Sequence, residues 1–311
     1  MNKILVVKMG LSETLDNERG KTVSLGDVLR CTVILEPLKK TYPSSSIAWL
    51  VSNEAFPLLK DNSDIDRIMV WDEFMPFALM RERFDMVINL EKINGVSALA
   101  DMMDAPEKLG FRFNPSTGEF DTYLRSFRAK EYIVEKNNNG KRTIWQEVIL
   151  SMVGFEWKNQ EYSLGYKPKT EEKYTVGLNW KVGTKWPTKG ASESWWKKLG
   201  SALESKNIDY SWQQGMSNLY EYMDWINSCQ VLITNDSLGL HLALALKKKI
   251  VALFGATDPS EVFMYGRGKI VIPKAEYNCF SCYSPVCDQK MNCMELMDIK
   301  DVINNVILFL D

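Results

Sequence analysis

Residues 231–254 constrain the fold more than any other part of the chain. Val231-Leu232-Ile233 is a short apolar run that reads as a buried strand, and Leu242-Ala243-Leu244-Ala245-Leu246 reads as a buried helix. Between them lies Thr234-Asn235-Asp236-Ser237-Leu238-Gly239-Leu240-His241, which holds the single histidine of the 311 residues. Asn, Asp and Ser at such a junction are helix N-cap residues. A second strand, Ile250-Val251-Ala252-Leu253-Phe254, follows and ends in Gly255-Ala256-Thr257-Asp258-Pro259. The unit is strand, helix, strand, with its polar loops at one edge of an open parallel sheet, the usual place for a nucleotide. A helix N-terminus there offers free backbone N–H groups and partial positive charge, which suit a phosphate. Taken alone, the segment equally permits Asp236 and Ser237 as plain caps and His241 as a packed core residue.

The same alternation runs through the rest of the chain. In the first half, residues 4–8, 47–51, 67–70 and 86–90 read as strands, and 27–41, 53–59, 74–80 and 97–103 as helices. A helix at 142–152 closes that half, and the polar stretch 166–173 reads as a linker. The second half restarts with strands at 175–180, 209–212, 231–234 and 250–254, and helices at 193–205, 218–227 and 238–246. Two doubly wound α/β domains facing a cleft are expected, at 1–166 and 174–298. The amphipathic segment 299–311 is expected to form a helix packing back toward the first.

Composition narrows the function classes. Charged residues make up 25%, and the net charge of −2 argues against a large nucleic-acid footprint. No apolar run approaches the ~20 residues that span a bilayer. The start, Met1 to Lys8, reads as a first strand rather than a signal peptide, so a cytoplasmic protein is expected. The run Lys247-Lys248-Lys249 suits either anionic lipid or a solvated turn. Ten tryptophans are compatible with a carbohydrate or nucleotide site, or simply with core packing.

Three blocks, 8–29, 179–196 and 235–259, appear in the order and at roughly the spacing of glycosyltransferase family 9, which the chain resembles over nearly its whole length. The best-known members are ADP-heptose:lipopolysaccharide heptosyltransferases. The resemblance implies a GT-B fold of two Rossmann-like domains, with acceptor on the first and nucleotide-sugar on the second. It implies inverting transfer without a catalytic cofactor, to a lipopolysaccharide or other glycan or glycolipid acceptor at the inner membrane face. Ser24-Leu25-Gly26-Asp27 matches the family's Gly-Asp. Asp27 then corresponds to the general base on the acceptor hydroxyl, and Gly26 lets the acceptor approach the backbone. Lys189 aligns with the family lysine that contacts the nucleotide-sugar, where a cation stabilises the departing diphosphate; Lys185 is a second candidate. Thr184 lies where the family has a hydroxyl near the phosphates. Asp236, Ser237 and His241 match residues that hold the sugar and diphosphate, helped by the N–H groups of Ser237, Leu238 and Gly239.

Three departures stand out. Many members read Asp-Ser-Gly-x-x-His, whereas here the glycine is displaced by one. The family's ribose carboxylate is replaced in the stretch Trp212-Gln213-Gln214-Gly215-Met216, where Gln213 or Gln214 offers a weaker bond. This leaves UDP or GDP open beside ADP. Residues 9–23 form an unusually long loop, read either as an acceptor lid or as a disordered excursion.

Of six cysteines, Cys31 and Cys229 are expected in helices as small buried residues. The other four crowd together: Cys279, Cys282, Cys287 and Cys293. Cys-x2-Cys is a good chelate and four thiolates close a tetrahedral site. The expectation is a structural zinc, or iron as in heptosyltransferases that act on proteins; free thiols are the alternative. Rival readings are a protein O-heptosyltransferase, a nucleotide-sugar epimerase and a non-catalytic nucleotide-sugar-binding protein.

Overall fold

The computed structural model describes residues 2–11, 23–126, 143–213, 218–274 and 277–310. The chain divides into two compact units, Met1–Tyr166 and Lys167–Asp311.

The first unit is built on β1 (Lys3–Val7), β2 (Ser46–Val51), β3 (Arg67–Val70), β4 (Met86–Asn89), β5 (Glu107–Asn114) and β6 (Glu119–Thr122), in the order β3-β2-β1-β4-β5-β6. All neighbours are parallel except β5 and β6. The central strand β1 is buried on both faces, and Ile4, Leu5, Val6 and Val7 are correspondingly apolar without alternation. Strand order reverses direction between β1 and β4, so the carboxyl ends of these two strands flank a switch point, where open α/β sheets bind ligands.

The expected single helix over 27–41 is three pieces: helix Leu25–Cys31, a 3₁₀ turn Thr32–Ile34 and helix Leu35–Thr41. Thr32 Oγ1 donates to the Leu29 carbonyl at 2.6 Å, a back-bond that bends helices. β5 and β6 were not expected; their mixed, half-buried residues carry little strand pattern.

The second unit carries β7 (Tyr174–Asn179), β8 (Tyr210–Trp212), β9 (Cys229–Asn235), β10 (Lys249–Leu253) and β11 (Gly268–Val271), in the order β11-β10-β9-β7-β8. Every pairing is parallel. The switch point lies between β7 and β9, which end at Asn179 and Asn235. Cys229 opens β9 rather than sitting in a helix, and burial pushes its thiol up to about 12.

The last helix is Ile299–Leu310. It seats Val302, Ile303 and Val306 in the second unit's own core, with Leu199, Leu253 and Trp196. Its apolar stripe is therefore used inside that unit. The lysine run is likewise structural in part: Lys248 is buried and pairs with Glu172 at 2.7 Å, while Lys249 donates to the Phe309 carbonyl. No helix among the described residues is long and apolar enough to cross a membrane.

Candidate functional site

In the first unit the carboxyl end of β1 is held by one buried carboxylate. Glu91, just past β4, accepts the backbone N–H groups of Met9, Gly10 and Leu11 through Oε1 at 2.7, 3.0 and 3.2 Å. Its other oxygen lies 3.5 Å from Lys8 Nζ, and both side chains are almost fully buried. Gly10 turns the chain at φ +99°, a conformation that suits only glycine well, and its carbonyl accepts the Ser24 N–H at 2.6 Å. This fastens the first turn of helix Leu25–Cys31, which carries buried Gly26 and Asp27. The Asp27 carboxylate pairs with Arg30 one turn on, and Arg30 lies over the Trp145 ring at 5.2 Å. Residues 12–22 of the proposed lid lie outside the described residues.

In the second unit the switch-point end of β9 assembles a charged cluster. Lys189, on the 3₁₀ turn Pro187–Lys189, donates to Asp236 Oδ2 at 2.6 Å. Thr257, from the loop after β10, donates to the same oxygen at 2.7 Å. Burial alone would raise the Asp236 carboxyl; the charges of Lys189 and His241 and the two hydrogen bonds overcome it and hold the group at about 2. His241 is buried one turn into helix Leu238–Ala245. Ser237 is the N-cap residue of that helix but its side chain does not cap it. Asn179, ending β7, donates instead to Ser237 Oγ at 3.2 Å and to Thr234 Oγ1 at 2.7 Å. Leu238 and Gly239 begin the helix, with N–H groups that have no partner within it.

The other expected residues are placed as follows. Thr184 is exposed in the turn after β7. Lys185 and Lys189 lie over the Trp186 ring at 5.7 and 5.9 Å, so both cations stand beside one indole. Lys189, not Lys185, carries the ion pair with Asp236. Gln213 is partly engaged: its Oε1 accepts the Lys181 N–H at 3.3 Å. Gln214 lies outside the described residues. Sequence reading missed Thr257 and Asn179 as members. Asn179 was visible as the polar residue ending β7 and Thr257 as a polar residue of the loop after β10, but nothing local showed that they converge on Asp236 and Ser237.

Cys279, Cys282, Cys287 and Cys293 line one pocket with Tyr277 and Phe280. The first three are exposed; Cys293 is half-buried, and burial together with the other three sulfurs pushes its thiol up to about 11. The donor set suits a soft tetrahedral metal. Among the described residues, however, no three metal-ligating side chains stand within mutual coordinating reach. The thiols share a concavity without being drawn together. The loop that bears them also supports the charged cluster. Ser281 and Tyr283 donate their N–H groups to Gly255 and Ala256, Asn292 Nδ2 donates to the Thr188 and Gly190 carbonyls at 3.3 Å, and Thr188 Oγ1 donates to the Ser284 carbonyl.

Residues 214–292 match the family model described as glycosyltransferase family 9 (heptosyltransferase). They include Asp236, Ser237, His241, Thr257 and three of the clustered cysteines, Cys279, Cys282 and Cys287. The chain is glycosyltransferase family 9-like. It is 42% identical over 45 residues to lipooligosaccharide heptosyltransferase 2 of Haemophilus influenzae, a match spanning 14% of this chain and only 13% of that relative. Its fold is that of the family 9 glycosyltransferase from Veillonella parvula, at a TM-score of 0.70 and 18% identity, covering 99% of this chain and 97% of the other. The E. coli ADP-heptose LPS heptosyltransferase II superposes at a TM-score of 0.68 and 12% identity over 100% of both chains. The iron-containing dodecameric glycosyltransferase TibC of enterotoxigenic E. coli does so at 0.61 and 13%, over 100% of this chain and 77% of the other. These likenesses make the fold GT-B, two Rossmann-like units in tandem.

Proposed function

We propose that this protein is an inverting glycosyltransferase that moves a heptose-like sugar from a nucleotide-sugar, with ADP-heptose the leading donor, to a lipopolysaccharide or other surface-glycan acceptor. The observation that carries this reading is the Lys189–Asp236–Thr257 cluster beside the N-terminus of helix Leu238–Ala245 at a switch point. A diphosphate at that helix end meets free N–H groups, the Ser237 hydroxyl and the Lys189 charge. Asp236, ionised and held by Lys189 and Thr257, is the group suited to accept hydroxyls of the sugar, with His241 behind it. Trp186, flanked by two lysines, gives an apolar face beside the cations.

In the reaction, Asp27 removes the proton of the acceptor hydroxyl. That oxygen forms a bond to the anomeric carbon as the bond to the nucleoside diphosphate breaks on the opposite face. The electron pair leaves with the diphosphate, and Lys189, Ser237 and the helix N–H groups stabilise the charge. The pair with Arg30 orients Asp27. No catalytic cofactor takes part in this scheme.

The four cysteines are the ligands we assign to a structural zinc or iron. Four sulfurs leave no open position for substrate, so such a metal would fasten the loop that supports Thr188, Gly190 and Gly255. The iron of TibC favours a second reading, transfer of the heptose to a protein hydroxyl. The place of work is the cytoplasm, peripheral to the inner membrane face where a lipid-linked acceptor would be.

A thermal-shift panel with ADP, UDP, GDP and their sugars tests the donor. A selective shift with ADP or ADP-heptose is expected. A selective shift with UDP or GDP removes heptose from the reading; no shift with any removes the transferase reading itself. Donor binding with undiminished turnover in Asp27→Ala would remove the base, and binding with no turnover in either protein would mark a non-catalytic binder.

A further inference from the structure

We propose that Tyr222 is a positioning residue that, through Asn179, keeps the Ser237 hydroxyl turned outward as a hydrogen-bond donor to the diphosphate of the donor. This deepens the transferase reading and rests on it.

Tyr222 lies on helix Leu219–Asn227, buried and stacked on Trp225 with centroids 6.1 Å apart. Its hydroxyl meets Asn179 Oδ1 at 2.6 Å. Burial raises the phenol well above its ordinary range, so it stays protonated and donates. A carboxamide that accepts at its oxygen must present its NH₂ elsewhere. Asn179 Nδ2 accordingly donates twice, to Thr234 Oγ1 at 2.7 Å and Ser237 Oγ at 3.2 Å. Thr234 passes its own proton to the Asn235 carbonyl at 2.9 Å. Ser237, receiving a proton from Asn179 and capping no N–H of its own helix, has its own proton to give to an incoming anion.

The displaced glycine fits the same device. A Cβ on Gly239 would come within 2.5 Å of the Tyr222 hydroxyl and overlap the Asn179 amide. Glycine at 239 therefore leaves room for the relay under the helix start.

Tyr222→Phe removes one hydroxyl. Asn179 then loses the donor that fixes its amide, its oxygen can turn to Ser237, and the serine proton is drawn inward. The test is calorimetric titration of ADP and adenosine into wild type, Tyr222→Phe, Ser237→Ala and the double variant, with melting temperatures for each. The expected result is about tenfold weaker ADP binding in Tyr222→Phe, the loss of one hydrogen bond to a charged group. Adenosine affinity should be unchanged, and Ser237→Ala should cost nothing more once Tyr222 is Phe. Equal ADP affinity in wild type and Tyr222→Phe, equal losses for ADP and adenosine, or additive losses in the double variant would each overturn the proposal while leaving the transferase reading intact. Wild type that binds neither ADP nor, in a parallel titration, UDP, GDP or inorganic pyrophosphate would overturn both. A purely structural tyrosine would lower the melting temperature without the ADP-selective, Ser237-dependent loss.

Discussion

At the scale of single residues, Asp236 carries the clearest physical signature. Its side chain is 12% exposed, and its carboxyl is held at about 2 against a reference of 3.8. Because the folded value lies below the unfolded one, its ionisation contributes stability above about pH 4, and this is lost as pH falls toward 2. The difference corresponds to roughly 2 kcal/mol. Asp236→Asn should therefore melt below wild type at pH 6, with the gap closing between pH 4 and 2; a gap independent of pH would contradict this. Gly239→Ala should lower stability by about 1–3 kcal/mol through overpacking against Tyr222 and Asn179, and weaken nucleotide binding; unchanged melting would show that the helix start has room to spare. Lys189, Asp236, Ser237 and His241 were singled out as candidates because they lie in blocks of recognisable order. Thr257, Asn179 and Tyr222 were not, since their contacts arise only where β7, β9, helix Leu219–Asn227 and the loop after β10 meet, and no local pattern encodes that meeting.

Among elements, continuous apolar strands were easiest to read. β1, β2, β4, β9 and β10 are buried on both faces, and burial on both faces enforces uninterrupted Val, Ile and Leu. β6, β8 and β11 lie at sheet edges, where exposure relaxes that demand; β8 was found, but Glu119–Thr122 and Gly268–Val271 were not. Breaking of the 27–41 segment was hidden as well, because the Thr32 back-bond and its 3₁₀ turn preserve helical spacing. The cysteine loop is an element whose role is testable. If it binds metal, purified protein should carry about one zinc or iron per chain. Chelation should then lower both the melting temperature and nucleotide affinity, through the contacts of Asn292 with Thr188 and Gly190. Metal-free protein with four reactive thiols and full nucleotide affinity would contradict the assignment.

For the whole molecule, both sheets put their candidate residues at the carboxyl ends of strands flanking a switch point: β1 and β4 in the first unit, β7 and β9 in the second. Glu91 with Lys8 fixes the first of these loops, and Asn179 with Tyr222 the second. In the proposed reaction the base lies on one unit and the diphosphate site on the other. It leads to a distinct prediction for each. Lys189→Ala should weaken ADP binding, whereas Asp27→Asn should leave it unchanged and reduce turnover by about 10²–10⁴-fold. The most direct test of the central claim is single-turnover transfer from ADP-heptose to a lipopolysaccharide core acceptor by wild type and Asp27→Asn, following released ADP and the anomeric configuration of the product. Transfer with inversion is expected of wild type, and its near-complete loss in Asp27→Asn at unchanged ADP affinity. Retention of configuration, or full transfer by Asp27→Asn, would contradict that claim.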